Sequence, residues 1–239
     1  MEYEKVTINK RLFYWIWRDI HFLPYAWLEE KDLKTLPRPF YLYQIHPDCK
    51  IGFESEDKED FTNIIKLPNS FEKLNLDKDL KVDLRRVEKK NAEVTLKYNE
   101  KDALDKSKKW FLELWNEDKE SFQRRLKLWK EKCYTISAYH GDELIAVHIA
   151  MKDEHKKTVY YVGCWWNKKY KSLSTPIFLL KKDIEKAIQD GVKFYDLEVG
   201  EESYKKKWGV IEKPTKYYAI LTKPLAKHLG IKKYVEMKE

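Results

Sequence analysis

Glycine, proline and cysteine are scarce in this chain, and it has no long apolar run. Seven glycines and eight prolines in 239 residues exclude a collagen-like chain and a Gly/Pro-rich disordered one. The three cysteines, Cys49, Cys133 and Cys164, show neither a C-x-x-C nor a paired spacing. That speaks against a disulfide framework and against a cysteine zinc site, so no metal is expected. No apolar stretch approaches the roughly 20 residues needed to cross a bilayer. The first residues lack the basic, apolar and small-residue order of a secretory leader. These absences together lead to the expectation of a cytoplasmic chain with no membrane span. Internal repeats and low-complexity linkers are also missing. Arginine is rare, seven of 48 basic residues, and the resulting Lys/Glu bias is of the kind met in hyperthermophiles.

What is present is core material and charge. The chain is 43% hydrophobic and 15% aromatic, enough for a substantial core in one domain or two small ones. It carries a net charge of +8 and a pI near 9.0. Either a solvated lysine-rich surface or a phosphate-bearing partner, a nucleotide cofactor or RNA, accounts for that excess. The lysines are scattered rather than blocked, which favours the surface.

Residues 1–66 form an aromatic-rich segment. Phe13, Tyr14, Trp15, Trp17, Phe22, Tyr25 and Trp27 are the core of a small subdomain or line a substrate pocket. Pro37 and Pro39 impose extended backbone. Phe40–Ile45 and 50–53 read as short strands joined at His46-Pro47-Asp48. Ser70 is a candidate helix cap, followed by helix with Leu74, Leu80, Leu84 and Val87 inward. Glu93–Tyr98 alternates as a strand. Leu104, Phe111, Leu114 and Trp115 share one helical face, and Phe122, Leu126 and Trp129 share another after a break at Asn116-Glu117-Asp118.

An antiparallel meander follows: 134–139, a turn at His140-Gly141-Asp142-Glu143, 144–151, then 158–166. Pro176 suits a first helical position with Ser174 or Thr175 as cap. Ile177, Leu180, Ile184, Ala187 and Ile188 form the buried stripe, with Lys181, Lys182, Glu185 and Lys186 off it. Gly191 ends this helix. A strand at 193–199 should then lie parallel to 158–166, and 217–222 is a last strand.

Several residue sets carry chemistry. A helix N-terminus favours an anion through unpaired N–H groups and the helix dipole. The loop 167–175 adds hydroxyls at Ser172, Ser174 and Thr175 and a cation at Lys171; an ordinary capped helix is the plainer alternative. Glu198 stands where open α/β sheets place ligand chemistry. There it could take a proton from an ammonium group, with Tyr204 giving one to a leaving thiolate. The plainer alternative is a salt-bridge set on a short helix. Arg85 and Arg86 suit carboxylate or phosphate recognition, or an ordinary ion pair. His148, inside an apolar strand, faces either core or cleft.

Leu84-Arg85-Arg86, then Gly141-Asp142-Glu143-Leu144-Ile145-Ala146, then Asp196-Leu197-Glu198-x-Gly200 with Tyr204-Lys205-x-x-Trp208 resembles the GNAT acetyltransferases. More narrowly it is similar to their cellulose-biosynthesis (CelD-like) branch, related to the FemABX peptidyltransferases. The resemblance covers about residues 68–222. It implies an α/β (α+β) fold of GNAT type: a mixed, mostly antiparallel sheet with a splayed parallel strand pair, preceded by an N-terminal α+β subdomain. Domains are then expected at 1–66, with a degenerate GNAT half as one alternative, and at 67–239. The splayed pair would admit the pantetheine of acetyl-CoA or another acyl-CoA, with its pyrophosphate near Ser174. A small-molecule or peptide amine would enter from the opposite side.

By this resemblance Glu198, Tyr204 and Lys205 are the catalytic candidates. Ser172, Ser174, Thr175 and Lys171 are the donor-binding ones, and Arg85, His148 and Trp208 the substrate-binding ones. Two departures stand out: Ser174-Thr175-Pro176 replaces Ser-Pro-Gly, and no glycine occurs from Asn167 to Thr175. The FemABX relatives use aminoacyl-tRNA, which makes tRNA an alternative partner. A third alternative is a non-catalytic GNAT-like module that binds a partner through Trp15 and Trp17.

Overall fold

The computed structural model describes residues 4–8, 10–16, 34–45, 55–115, 119–200, 203–232 and 235–237. The expected strand at 50–53 and the break at 116–118 lie outside these residues, as do Trp17, Phe22, Tyr25 and Trp27. The chain divides into two compact units, one of residues 63–211 and one of residues 1–62 with 212–239.

The second of these units is built on strands. β1 (Glu4–Ile8) and β2 (Arg11–Ile16) form an antiparallel pair. β3 (Phe40–Ile45), one of the expected strands, runs parallel to β2. β3 also pairs antiparallel with β10 (Ile211–Leu221), which in turn holds the two-residue β11 (Val235–Glu236). Ala219, Leu221, Leu225 and Ala226 are its buried cluster, the last two from α7 (Lys223–His228).

The unit 63–211 carries the candidate site. The chain enters it along β4 (Ser55–Lys66). A single 3-10 turn at Phe71–Lys73 follows, and Ser70 makes no side-chain cap to it. The cap of the long helix α1 (Lys78–Lys90) is instead Asp77, whose carboxylate accepts from the N–H groups of Asp79 and Leu80. Leu74, Leu80, Leu84 and Val87 are buried as their spacing requires; each such side chain contributes about 1.5–3 kcal/mol.

β5 (Val94–Tyr98) leads to α2 (Asp102–Lys106), α3 (Lys108–Trp115) and α4 (Lys119–Lys132). Phe111, Phe122 and Trp129 pack with Trp165, ring centroids 5.2–6.0 Å apart. The Trp165 indole N–H donates to Ser107 Oγ at 2.6 Å, so the break between α2 and α3 satisfies the buried indole of Trp165. β6 (Tyr134–His140), β7 (Glu143–Asp153) and β8 (Thr158–Trp166) form the expected antiparallel meander, with β5 on the outer side of β6.

A crossover helix, α5 (Thr175–Gln189), returns the chain to β9 (Phe194–Val199), which is parallel to β8. Ile184 and Ala187 are buried and Ile177 and Ile188 half-buried, so the stripe is confirmed. Lys181, expected off the stripe, is buried. Its ammonium lies 2.8 Å from Glu88 Oε1 on α1, pairs with Glu185, and sits over the Phe71 ring. The correction has a simple cause: a lysine stem covers apolar surface while its head finds carboxylates at the rim. Burial raises the Glu88 carboxyl, but Lys181 and Lys182 outweigh it and leave it lowered. This ion pair therefore stabilises at neutral pH and is lost as pH falls through the folded-state value.

Both described cysteines are free and buried. Burial pushes the Cys133 thiol up to about 12 and raises Cys164 further. Neither supplies thiolate near neutrality. Alkylation of the native protein by iodoacetamide at pH 8, mapped by peptide mass, is expected to leave both unmodified. The unfolded chain ionises its thiols at ordinary values, so it binds fewer protons than the native one above pH of roughly 9, and stability falls there.

Candidate functional site

Two backbone features interrupt the pairing of the sheet around β8. β8 and β9 share only three registered pairs, Thr158↔Phe194, Val159↔Tyr195 and Tyr160↔Asp196. Beyond these, among the described residues, β8 runs on to Trp166 and β9 to Val199 with no further pair between them. Over that stretch the two strands are not hydrogen-bonded to each other in register. The second feature is a bulge. Ile149 pairs with Gly163 but Ala150 with Tyr161, leaving Val162 as the extra residue of β8. Such a bulge turns one backbone group out of the ladder beside the opening.

The turn after β9 is held by side chains. Glu198 takes a left-handed conformation, φ 69°, unfavourable for a residue with a Cβ. Its N–H donates to Asp196 Oδ1 at 2.8 Å. Asn63 Nδ2 donates to the carbonyls of Glu198 at 3.0 Å and Gly200 at 2.9 Å. Lys205 Nζ donates to the carbonyls of Val199 at 2.8 Å and Glu198 at 3.4 Å. Lys205 is only 3% exposed, whereas Tyr204, its neighbour on the short helix α6 (Ser203–Lys206), is 39% exposed. A buried ammonium committed to main-chain carbonyls is a brace; the expected hold on an acidic substrate group does not match that geometry. The Glu198 carboxylate is near enough to Cys133 to add to the rise of that thiol, and Lys101 opposes it. Lys101 donates to the Cys133 carbonyl, and burial lowers its ammonium. Sequence spacing offered no signal for Lys101 or Asn63, which lie far from Glu198 along the chain.

At the start of α5 the structure departs from the expected anion site. Ser174 is the N-cap in a left-handed conformation and makes no side-chain cap. Thr175, not Pro176, is the first helical residue, and its buried hydroxyl faces Asn91 Oδ1 at 3.5 Å. Pro176 has no N–H, and the Ile177 N–H is taken by the Ser174 carbonyl at 3.1 Å. The preceding 3-10 segment Lys168–Leu173 is tied down from both sides. Asn91 and Lys90 donate to the carbonyls of Leu173 and Ser172, and Glu143 accepts from Lys169, Tyr170 and Asn167. Ser172 and Lys171 are exposed there.

The substrate-binding candidates are not brought together. Arg85 is exposed on α1. Trp208 is 1% exposed in the main apolar cluster, so it packs the core and presents no wall to a substrate. His148 is fully buried: Nε2 lies 2.8 Å from Asp183 Oδ2. That carboxylate also accepts from Tyr195 at 2.6 Å and Tyr134 at 2.7 Å. Burial first, and then the Asp183 charge, raise both phenols well above their ordinary range. This network ties α5 to β6, β7 and β9, and His148 is a core histidine.

A mixed sheet with one crossover helix, a parallel pair that opens after three residues, and a bulge beside the opening define the class of acyl-transfer folds expected from the sequence. Residues 76–206 match the acetyltransferase (GNAT) domain family, and the chain belongs to that family. Among curated proteins none matches the sequence. Solved structures similar to this chain include FemX, at a TM-score of 0.63 and 11% identity over 95% of this chain and 85% of that one. A domain described as the C-terminal part of a lysylphosphatidylglycerol synthetase from Agrobacterium fabrum gives 0.62 and 12% over 95% and 83%. L-PGS from Bacillus licheniformis gives 0.60 and 12% over 95% and 84%. At such identities the likeness establishes the fold alone. No helix among the described residues is long and apolar enough to cross a membrane.

Proposed function

We propose that this member of the GNAT family is an N-acyltransferase that takes its acyl group from an acyl-CoA. The observation that carries this is the opening between β8 and β9 after their third registered pair. An acyl-CoA supplies an activated thioester carbonyl, and an extended pantetheine arm suits a stretch where two parallel strands stop pairing with each other. The N–H freed at Val162 is the candidate donor to the carbonyl oxygen, where a fixed dipole stabilises developing charge. Glu198 is the candidate base for the attacking amine's proton, and Tyr204 the candidate acid for the leaving sulfur. Lys205 braces the turn that carries Glu198.

The start of α5 fits a diphosphate less well than the opening fits the arm. Pro176 and the Ile177 bond remove two N–H groups from the first turn. Charge from the exposed Lys168 and Lys171 remains, so CoA affinity should be modest and salt-sensitive. That same depleted turn favours a second reading: the aminoacyl-tRNA donor implied by the FemABX resemblance.

Thermal stabilisation by acetyl-CoA tests the first reading. At about a hundred times its dissociation constant a ligand stabilises by roughly 2.7 kcal/mol, a melting shift of roughly 5–10 °C. No shift at millimolar acetyl-CoA sinks the CoA donor. RNA binding that weakens steeply with salt would then support the tRNA donor. In the CoA case Tyr204→Phe should lower turnover about a hundredfold at unchanged melting temperature; unchanged turnover removes Tyr204 from the site.

A further inference from the structure

We propose that Asn63 and Lys205 form a clamp that holds Glu198 in its left-handed conformation and thereby fixes the direction of its carboxylate. This rests on the acyltransfer reading for its purpose, but the clamp itself is read from geometry. Three successive carbonyls, those of Glu198, Val199 and Gly200, all accept from these two side chains at 2.8–3.4 Å. Both side chains are buried, where an unpaired amide or ammonium is costly. Their demand for acceptors therefore sets the backbone of the turn. Asp196 fixes the one N–H on the other side of the kink.

Left to itself, β9 would continue its alternation. Tyr195 points toward α5, where it meets Asp183, and Asp196 points away. The kink at Glu198 breaks that period, so the direction of its carboxylate is decided by the clamp and not by the strand. A left-handed residue with a Cβ persists only when its surroundings over-determine it. Four hydrogen bonds from two buried side chains, one remote in sequence and one on the next helix, do that here. Asn63 and Lys205 are thus positioning residues, and Glu198 is the group they position.

A coupling experiment on the full chain tests the clamp without a known acceptor. Urea unfolding compares Glu198→Gly with Glu198→Ala. In the wild-type background the glycine variant should be more stable by about fivefold in the unfolding constant, because glycine tolerates positive φ. The same pair is then measured with Asn63→Ala and, separately, with Lys205→Met. Loss of the clamp lets the turn relax, and the difference should fall to within about twofold. A fivefold difference that persists in both backgrounds overturns the proposal, and so does its absence from the wild type. If one background fails to fold, the other decides. Acetyl transfer from acetyl-CoA to a panel of amines is assayed separately on the parent protein. Coupling without transfer leaves the clamp standing and counts against the proposed function alone.

Discussion

Gly209→Ala is expected to destabilise the protein by about 3 kcal/mol or more, lowering its melting temperature by roughly 6–12 °C. Gly209 has φ 67°, and a Cβ built there would lie 2.3 Å from the Asn75 carbonyl oxygen. Both penalties act together. The left-handed backbone alone costs a residue with a Cβ about 1–2 kcal/mol, and the overlap forces main chain, not a flexible side chain, to move. The contact matters because the segment before α1 is fastened here: the Asp77 N–H donates to the Lys207 carbonyl at 2.9 Å. Gly191→Ala is the control. Its φ is 73°, but nothing lies within 4 Å of an added Cβ, so the backbone penalty of about 1–2 kcal/mol stands alone. Differential scanning calorimetry on the two variants separates the effects; equal losses would mean that the approach to Asn75 contributes nothing.

Asp183→Ala is expected to cost about 3–5 kcal/mol. The carboxylate is the shared acceptor for Tyr134, Tyr195 and His148, and its removal leaves buried donors without a partner as well as a cavity. Asp183→Asn keeps one acceptor oxygen and should cost less. Tyr195→Phe removes a single phenol hydroxyl and should cost about 1 kcal/mol. The phenols give an independent readout. Because Tyr134 and Tyr195 are raised well above their ordinary range, they should stay protonated in the native protein until alkaline unfolding. The unfolded chain has released those protons already, so stability falls as pH rises past the ordinary phenol value. Chemical denaturation at pH 7 and 10 checks the sign: wild type should lose more stability over that interval than Tyr195→Phe. If Asp183→Ala melted like wild type, the network would be dispensable.

Local pattern carried much of the fold. The meander at 134–166, the crossover helix with Gly191 at its end, and the parallel return strand all follow from period-2 and period-3.6 patterning and from chain reversal signals. They agree with the structure to within a few residues. Patterning failed where the partner is remote. Ser70 reads as a helix cap, yet the helix waits for Asp77, because only there do the turn and the bond to Lys207 coincide. Lys181 reads as a surface residue until Glu88, from a helix 93 positions away, meets it.

The candidate site divides in the same way. The run Asp196-Leu197-Glu198-x-Gly200 and Tyr204-Lys205-x-x-Trp208 is visible in the sequence, but its residue types do not reveal their division of labour. Asp196 and Lys205 brace the turn, Trp208 fills the core, and Glu198 and Tyr204 are the candidates for chemistry. Nothing near Asn63 marks it as the partner of a carbonyl 135 positions away. Sequence alone determined the order of the main elements from α1 to β9, most of their buried faces and the family, because these depend on residues close along the chain. Only the tertiary structure decided which polar groups are spent on main chain. That depends on distances between remote segments, and a buried donor takes the acceptor that folding brings to it.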